Sequence, residues 1–166
     1  MANKANNTHL FGSVLKAGDL EMVAWSDTYA TGIEMIDKQH RELVKLTNDL
    51  FRACMYGNET AQGVFKESMS RMVEYVRFHF STEQKLLELV NYPDFHNHKK
   101  QHETMVYNIL EAVKEHNKGV KFAPNHFTRT LKDWIFSHIA VFDKDYAIYI
   151  NEQRKKGKIT EDQLKG

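Results

Sequence analysis

One cysteine, Cys54, stands among 166 residues. It excludes an intrachain disulfide and any paired-cysteine zinc or redox motif. A reducing, cytoplasmic compartment suits such a chain. Only two prolines occur, so long stretches run without a helix breaker. Neither sign of charge dominates: 23 Lys and Arg face 22 Asp and Glu, for a net +1. A nucleic-acid binder shows a basic excess or stripe, and this chain has none. No apolar run approaches the roughly 18 residues of a membrane span, so no membrane partner is expected. Residues 1–22 lack the charged start, apolar block and small-residue cleavage site of a secretory signal. Alternating strand patterns and Asn-Gly or Asp-Gly hairpin turns are missing too. Internal repeats and low-complexity tracts are also missing. What remains is an ordinary globular balance of 42% hydrophobic and 27% charged residues, enough for one domain. Histidine is the residue in excess, with nine copies.

Breaks at Gly57 and Gly63, at Pro93, and at Gly119 with Pro124 divide the chain. Between them lie four segments with helical periodicity, over about 36–56, 62–90, 94–117 and 125–151. Each is long enough for roughly five turns or more. Short connections make neighbours antiparallel. The predicted fold is therefore all-α, an up-down-up-down antiparallel four-helix bundle. Residues 1–22 are expected to form a non-helical arm and 23–151 the bundle. Residues 152–166 are strongly charged and are expected to fray into solvent.

The apolar stripes of these segments carry polar residues. His40, His79 with Glu83, His98 with His102, and His138 all fall on inward faces. Both pairs are spaced i,i+4, which puts two side chains on one helical face a turn apart. One inward histidine is usually a hydrogen-bonded core residue. Five imidazoles and a carboxylate on four inner faces are costly to bury without a common partner. Imidazole and carboxylate are donors for zinc, iron and manganese. Six donors exceed the four that a structural zinc takes, so a dinuclear centre accounts for them better. Di-iron bundles of the ferritin type use Glu-x-x-His, and no glutamate here has a histidine three residues later. His96 is turned about 200° from His98 and is not expected to bind. His9, His116 and His126 lie near termini or loops and are expected to be bystanders as well. Cys54 and the methionines read as core filler.

The set IDKQHREL, HFSTE, YPDFHNHKKQH and HIAVFD resembles the hemerythrin family, the bacterial single-domain members in particular. The upstream run WSDTYATGIEMID and Trp134, four residues before His138, fit as well. The resemblance covers about residues 22–150. It implies a pair of non-haem irons joined by an oxo or hydroxo bridge. His98, His102 and His138 would hold one iron, His40 and His79 the other, and Glu83 and Asp143 would bridge them. Asp143 comes from the resemblance alone. It lies five residues after His138, about 140° round an ideal helix, and only a π-type widening or a flanking approach would bring it in. Asp145 is the competing carboxylate. The resemblance also implies a dioxygen pocket beside the His40/His79 iron, lined by Leu43, Phe80, Trp134, Ile135 and Ile139. All five are apolar, as a dry site for reversible binding requires. Large apolar residues at helical spacing are also ordinary core. Tyr146, three residues after Asp143, can orient a neighbouring group or simply pack.

The implied function is reversible dioxygen binding without an enzymatic activity, for transport, storage, delivery or sensing. A sensor would pass its signal through the flanks or an unidentified protein partner. The rival reading is a di-iron enzyme, an oxidase or a reductase of peroxide or nitric oxide. It would want a polar proton donor near Leu43 or Ile135. Iron storage or a zinc-held structural bundle is a third reading, and the five histidines argue against carboxylate-rich storage chemistry.

Overall fold

The computed structural model describes residues 21–55, 59–120 and 123–164. Most of the expected N-terminal arm, with His9, and the break at Gly57 lie outside them. The helices are α1 (Glu34–Met55), α2 (Glu59–Leu89), α3 (Phe95–Asn117), α4 (Ala123–Ser137) and α5 (Asp143–Lys155). Helices α4 and α5 are one rod, joined by a π turn over His138–Phe142. The architecture is the expected all-α antiparallel four-helix bundle, with no strand among the described residues.

The connections follow local chemistry. After α2 the chain turns at Asn91, whose φ is 50°, a left-handed value that asparagine tolerates. Pro93 and Asp94 then precede α3, and Tyr149 of α5 donates its hydroxyl to the carbonyls of Val90 and Asn91, both at 3.2 Å. Gly119, at φ 71°, closes α3. Pro124 falls in the first turn of α4, where its missing N–H costs nothing. Ahead of α1, Asp37 accepts from the Thr31 amide at 2.6 Å, the Thr31 hydroxyl at 2.7 Å and the Gly32 amide at 3.1 Å. Residues 22–29 lie against the bundle: Asn48 of α1 accepts from the Met22 and Val23 amides and donates to the Val23 carbonyl.

The core is two apolar clusters. One contains Leu43, Leu50, Met72, Val76, Phe80, Met105, Ile109, Leu131, Ile135 and Ile139. The other contains Ile33, Ile36, Leu86, Leu87, Tyr146 and Ile150. On every helix a polar residue separates them in sequence. His40 lies between Ile36 and Leu43, Glu83 between Phe80 and Leu86, His102 between Phe95 and Met105, and Asp143 between Ile139 and Tyr146. The bundle therefore holds one polar layer between two dry ones.

The C-terminal segment departs from expectation. Helix α5 continues to Lys155, and Ile159 and Leu164 are buried against the second cluster. Charge counts concealed two apolar anchors. Burying them outweighs the tendency of a charged end to fray. No helix among the described residues is long and apolar enough to cross a membrane.

Candidate metal centre

The polar layer consists of His40 from α1, His79 and Glu83 from α2, His98 and His102 from α3, His138 from the π turn and Asp143 from α5. All seven are buried, none more than 2% exposed. Their donor atoms fall into two groups, Glu83 with His98, His102 and His138, and His40 with His79, Glu83 and Asp143. Within each group the atoms lie within 4.8 Å of one another.

Each carboxylate faces both groups. Glu83 Oε2 lies 3.4 Å from His98 Nε2 and 3.2 Å from His102 Nε2. Glu83 Oε1 lies 3.5 Å from His40 Nε2 and 3.7 Å from His79 Nε2. Asp143 Oδ1 is 3.2 Å from His138 Nε2, and Oδ2 is 3.1 Å from His40 Nε2. One oxygen of each carboxylate thus faces the three-histidine group and the other faces the two-histidine group.

The π turn explains how Asp143 arrives. Its amide donates to the His138 carbonyl, a five-residue span. A turn closing on the fifth residue returns Asp143 to the face that an α-turn would give the fourth. Periodicity at 3.6 residues misses this. Asp145 is exposed and is no rival.

Several donor atoms have no partner. His40 Nε2, His79 Nε2 and both Asp143 oxygens are buried without a hydrogen bond. The 3.1 Å approach of His40 to Asp143 therefore brings two donor atoms together without hydrogen-bond alignment. Leaving such atoms unpaired is costly in a dry core. A cation answers it: ligands held at about 2.1 Å and at right angles around one ion lie about 3 Å apart. The residues present fit a pair of metal ions.

The charges fit as well. Burial alone would raise both carboxyls, but the surrounding imidazoles hold Glu83 and Asp143 below their ordinary range. Burial pushes His79 down to about 3, so its imidazole is neutral, the form a metal would need. It also lowers His102. His40 goes the other way. Burial would lower it, but the adjacent Asp143 and Glu83 carboxylates raise it to about 9. Without metal a proton does part of the work of a cation there.

Side chains outside the seven aim them. Gln39 Oε1 lies 3.0 Å from His79 Nδ1. With the proton on Nδ1, the ring donates to Gln39 and keeps Nε2 free for metal. Gln84 Nε2 stands 3.4 Å from His102 Nδ1. Sequence reasoning missed both glutamines. Each adjoins a site residue, Gln39 next to His40 and Gln84 next to Glu83, and that adjacency was the available signal. The Tyr146 hydroxyl donates to Glu83 Oε1 at 2.5 Å. Burial, then the Glu83 charge, push its phenol well above the ordinary value, so it is a neutral donor.

Of the expected pocket residues, Leu43, Phe80, Ile135 and Ile139 are buried, and Trp134 is half-buried. Phe80 stacks on His102 with centroids 3.7 Å apart, and its ring is 5.7 Å from His79. Trp134 stacks on His138 at 4.4 Å. Phe80 thus lies against a histidine of each group, and Trp134 against one of the three-histidine group. Of the other histidines, His96 and His126 are exposed, and His116 packs on Phe65 at 4.8 Å, in neither donor group.

Comparison with known proteins agrees. The family model for the hemerythrin HHE cation binding domain matches residues 31–147. Bacteriohemerythrin of Stenotrophomonas maltophilia is 30% identical over 128 residues, covering 77% of this chain and 81% of its own. That of Pseudomonas aeruginosa is 32% identical over 124 residues, covering 75% and 78%. A crystal structure of wild-type hemerythrin superposes with a TM-score of 0.70 at 25% identity, over 76% of this chain and 96% of that one. With the donor set and the bundle already in hand, these matches establish that the chain belongs to the hemerythrin family.

Proposed function

We propose that this chain binds dioxygen reversibly at a non-haem di-iron centre and is not an enzyme. The family's cofactor is a pair of irons. His98, His102 and His138 would hold one, His40 and His79 the other, with Glu83 and Asp143 bridging. The observation that carries this reading is the unequal division of seven buried donors, three imidazoles against two, around two shared carboxylates. The half with fewer histidines keeps room for a further ligand.

When bound, the irons supply the electrons that dioxygen takes up and returns. The protein's own contribution is exclusion and aim. Leu43, Phe80, Ile135 and Ile139 are buried and offer no proton. Water is kept off, and acid-assisted O–O cleavage lacks a donor on that side. Phe80 and Trp134 clamp the planes of His102 and His138. Gln39 fixes the tautomer of His79. The single cysteine and the missing apolar span support a cytoplasmic oxygen binder that acts as carrier, store, delivery partner or sensor.

A visible spectrum through one cycle tests the proposal. The protein is reduced without air, exposed to air, then freed of oxygen. A charge-transfer band that appears and then vanishes is the expected result. Irreversible conversion to an oxidised spectrum would move the reading to a di-iron oxidase or reductase.

A further inference from the structure

We propose that Tyr146 is a positioning residue for Glu83, and that it serves the two-histidine half of the centre. The inference rests on the reading that the seven donors hold two ions.

The two shared carboxylates are not equivalent. Both oxygens of Asp143 lack a hydrogen-bond partner. Glu83 Oε1, by contrast, accepts the Tyr146 hydroxyl at 2.5 Å. Oε1 is the oxygen that faces His40 and His79, while Oε2 faces His98 and His102. The donor therefore touches the half that already has fewer imidazoles.

The donor itself is immobile. Tyr146 is fully buried in the second apolar cluster, among Ile33, Ile36, Leu86, Leu87 and Ile150. Its ring meets His98 edge-on at 5.3 Å and Tyr92 at 6.3 Å. A fixed donor restrains a carboxylate that could otherwise rotate about its last bond. Unrestrained, both oxygens could chelate the ion of the three-histidine half. Held by Tyr146, Oε1 keeps one lone pair for the phenol and one for the other ion. A single helical turn of α5 thus supplies one bridge, Asp143, and the support for the other, Glu83. Outer partners of metal ligands typically change affinity by about 10- to 100-fold when removed.

The test uses full-length protein stripped of iron and titrated with cobalt(II), each ion followed by its visible d–d absorption and by dialysis. Wild type should bind two cobalt ions per chain. Tyr146→Phe keeps the ring and loses only the hydroxyl. It should still bind two, with the weaker ion's dissociation constant raised about 10-fold and the tighter ion's unchanged. The weaker ion's band should also shift. A merely structural tyrosine would lower the stability of the metal-free protein and weaken both ions alike. Equal effects on both ions, or none, overturn the proposal. A fluorotyrosine at position 146, a stronger donor of nearly the same shape, guards against a folding defect. It should shift the weaker ion's band alone, and a shift in both bands or neither counts against the idea. Wild type binding fewer than two ions would sink the seven-donor reading itself, a failure distinct from that of Tyr146.

Discussion

His138 and Asp143 stand five residues apart in the chain, yet His138 Nε2 and Asp143 Oδ1 lie 3.2 Å apart. The π turn makes this possible, because five residues there occupy the place of four. The extra residue can be removed where it is least involved. Val141 is 53% exposed. Deleting it should convert α4, the π turn and α5 into one α-helix, with α5 still in phase and Asp143 still facing His138. Iron content should stay at two per chain, with a modest loss of stability. Loss of an iron would show that the widened turn sets the position of Asp143 more tightly than helical phase alone.

His102 and His96 test the ligand set against a neighbour on the same helix. His102 is 1% exposed and sits in the three-histidine group, while His96 is exposed. His102→Ala should lose iron and cost more than about 2 kcal/mol, because it opens a cavity and forfeits the stabilisation that metal gives the folded state. His96→Ala should change neither iron content nor Tm. Two irons retained in the His102 variant, measured by elemental analysis, would remove His102 from the set.

Much of this was legible because helical phase is a strong signal. His40, His79, Glu83, His98, His102 and His138 each interrupt an apolar stripe, and a buried polar residue must find a partner. Four helices followed from periodicity and from Pro93, Gly119 and Pro124. What escaped did so for physical reasons. Asp143 is out of α phase, and only family resemblance nominated it. Gln39 and Gln84 act on histidines of other helices, a relation that one stripe cannot show. The tail was judged on charge, while Ile159 and Leu164 decide its fate.

Those two anchors carry a prediction of their own. Ending the chain after Lys155 would uncover the second apolar cluster where Ile159 and Leu164 cover it. Each buried aliphatic side chain is worth about 1.5–3 kcal/mol. The truncated protein should lose several °C of Tm yet still bind two irons, since no donor lies in the tail. An unchanged melt would mean that the tail covers nothing of consequence.

Gln39 is the handle on the two-histidine half. Replacing it with Leu leaves the His79 Nδ1 proton buried with no acceptor, at a cost of about 1–3 kcal/mol. The ring is then free to take the other tautomer, which turns a proton toward the metal. Iron at that half should bind at least about 10-fold more weakly, with the three-histidine half unaffected. Stepwise chelation followed by iron analysis separates the two halves. Equal weakening of both would remove Gln39 from this role.

The iron-free protein should have a stability optimum in pH. His79 is held at about 3, chiefly by burial, against an ordinary 6.5. As pH falls below 6.5, the unfolded chain takes a proton that the folded chain refuses, and stability is lost. Glu83 and Asp143 add to this lower down. Their folded values are depressed, so their contribution is complete above the carboxylate range and is lost as pH falls through it. His40 has the opposite sign. Burial would lower it, but the Asp143 and Glu83 carboxylates raise it from 6.5 to about 9. Its contribution is full below 6.5 and is lost as pH climbs to about 9. The stripped protein should therefore melt highest near pH 6.5 and lower on both sides. Iron needs His40 as a neutral imidazole, so reloading should abolish the alkaline fall. Thermal melts of stripped and reloaded protein check this. A stripped protein that grows steadily more stable toward pH 9 would show that His40 does not share its proton with the two carboxylates.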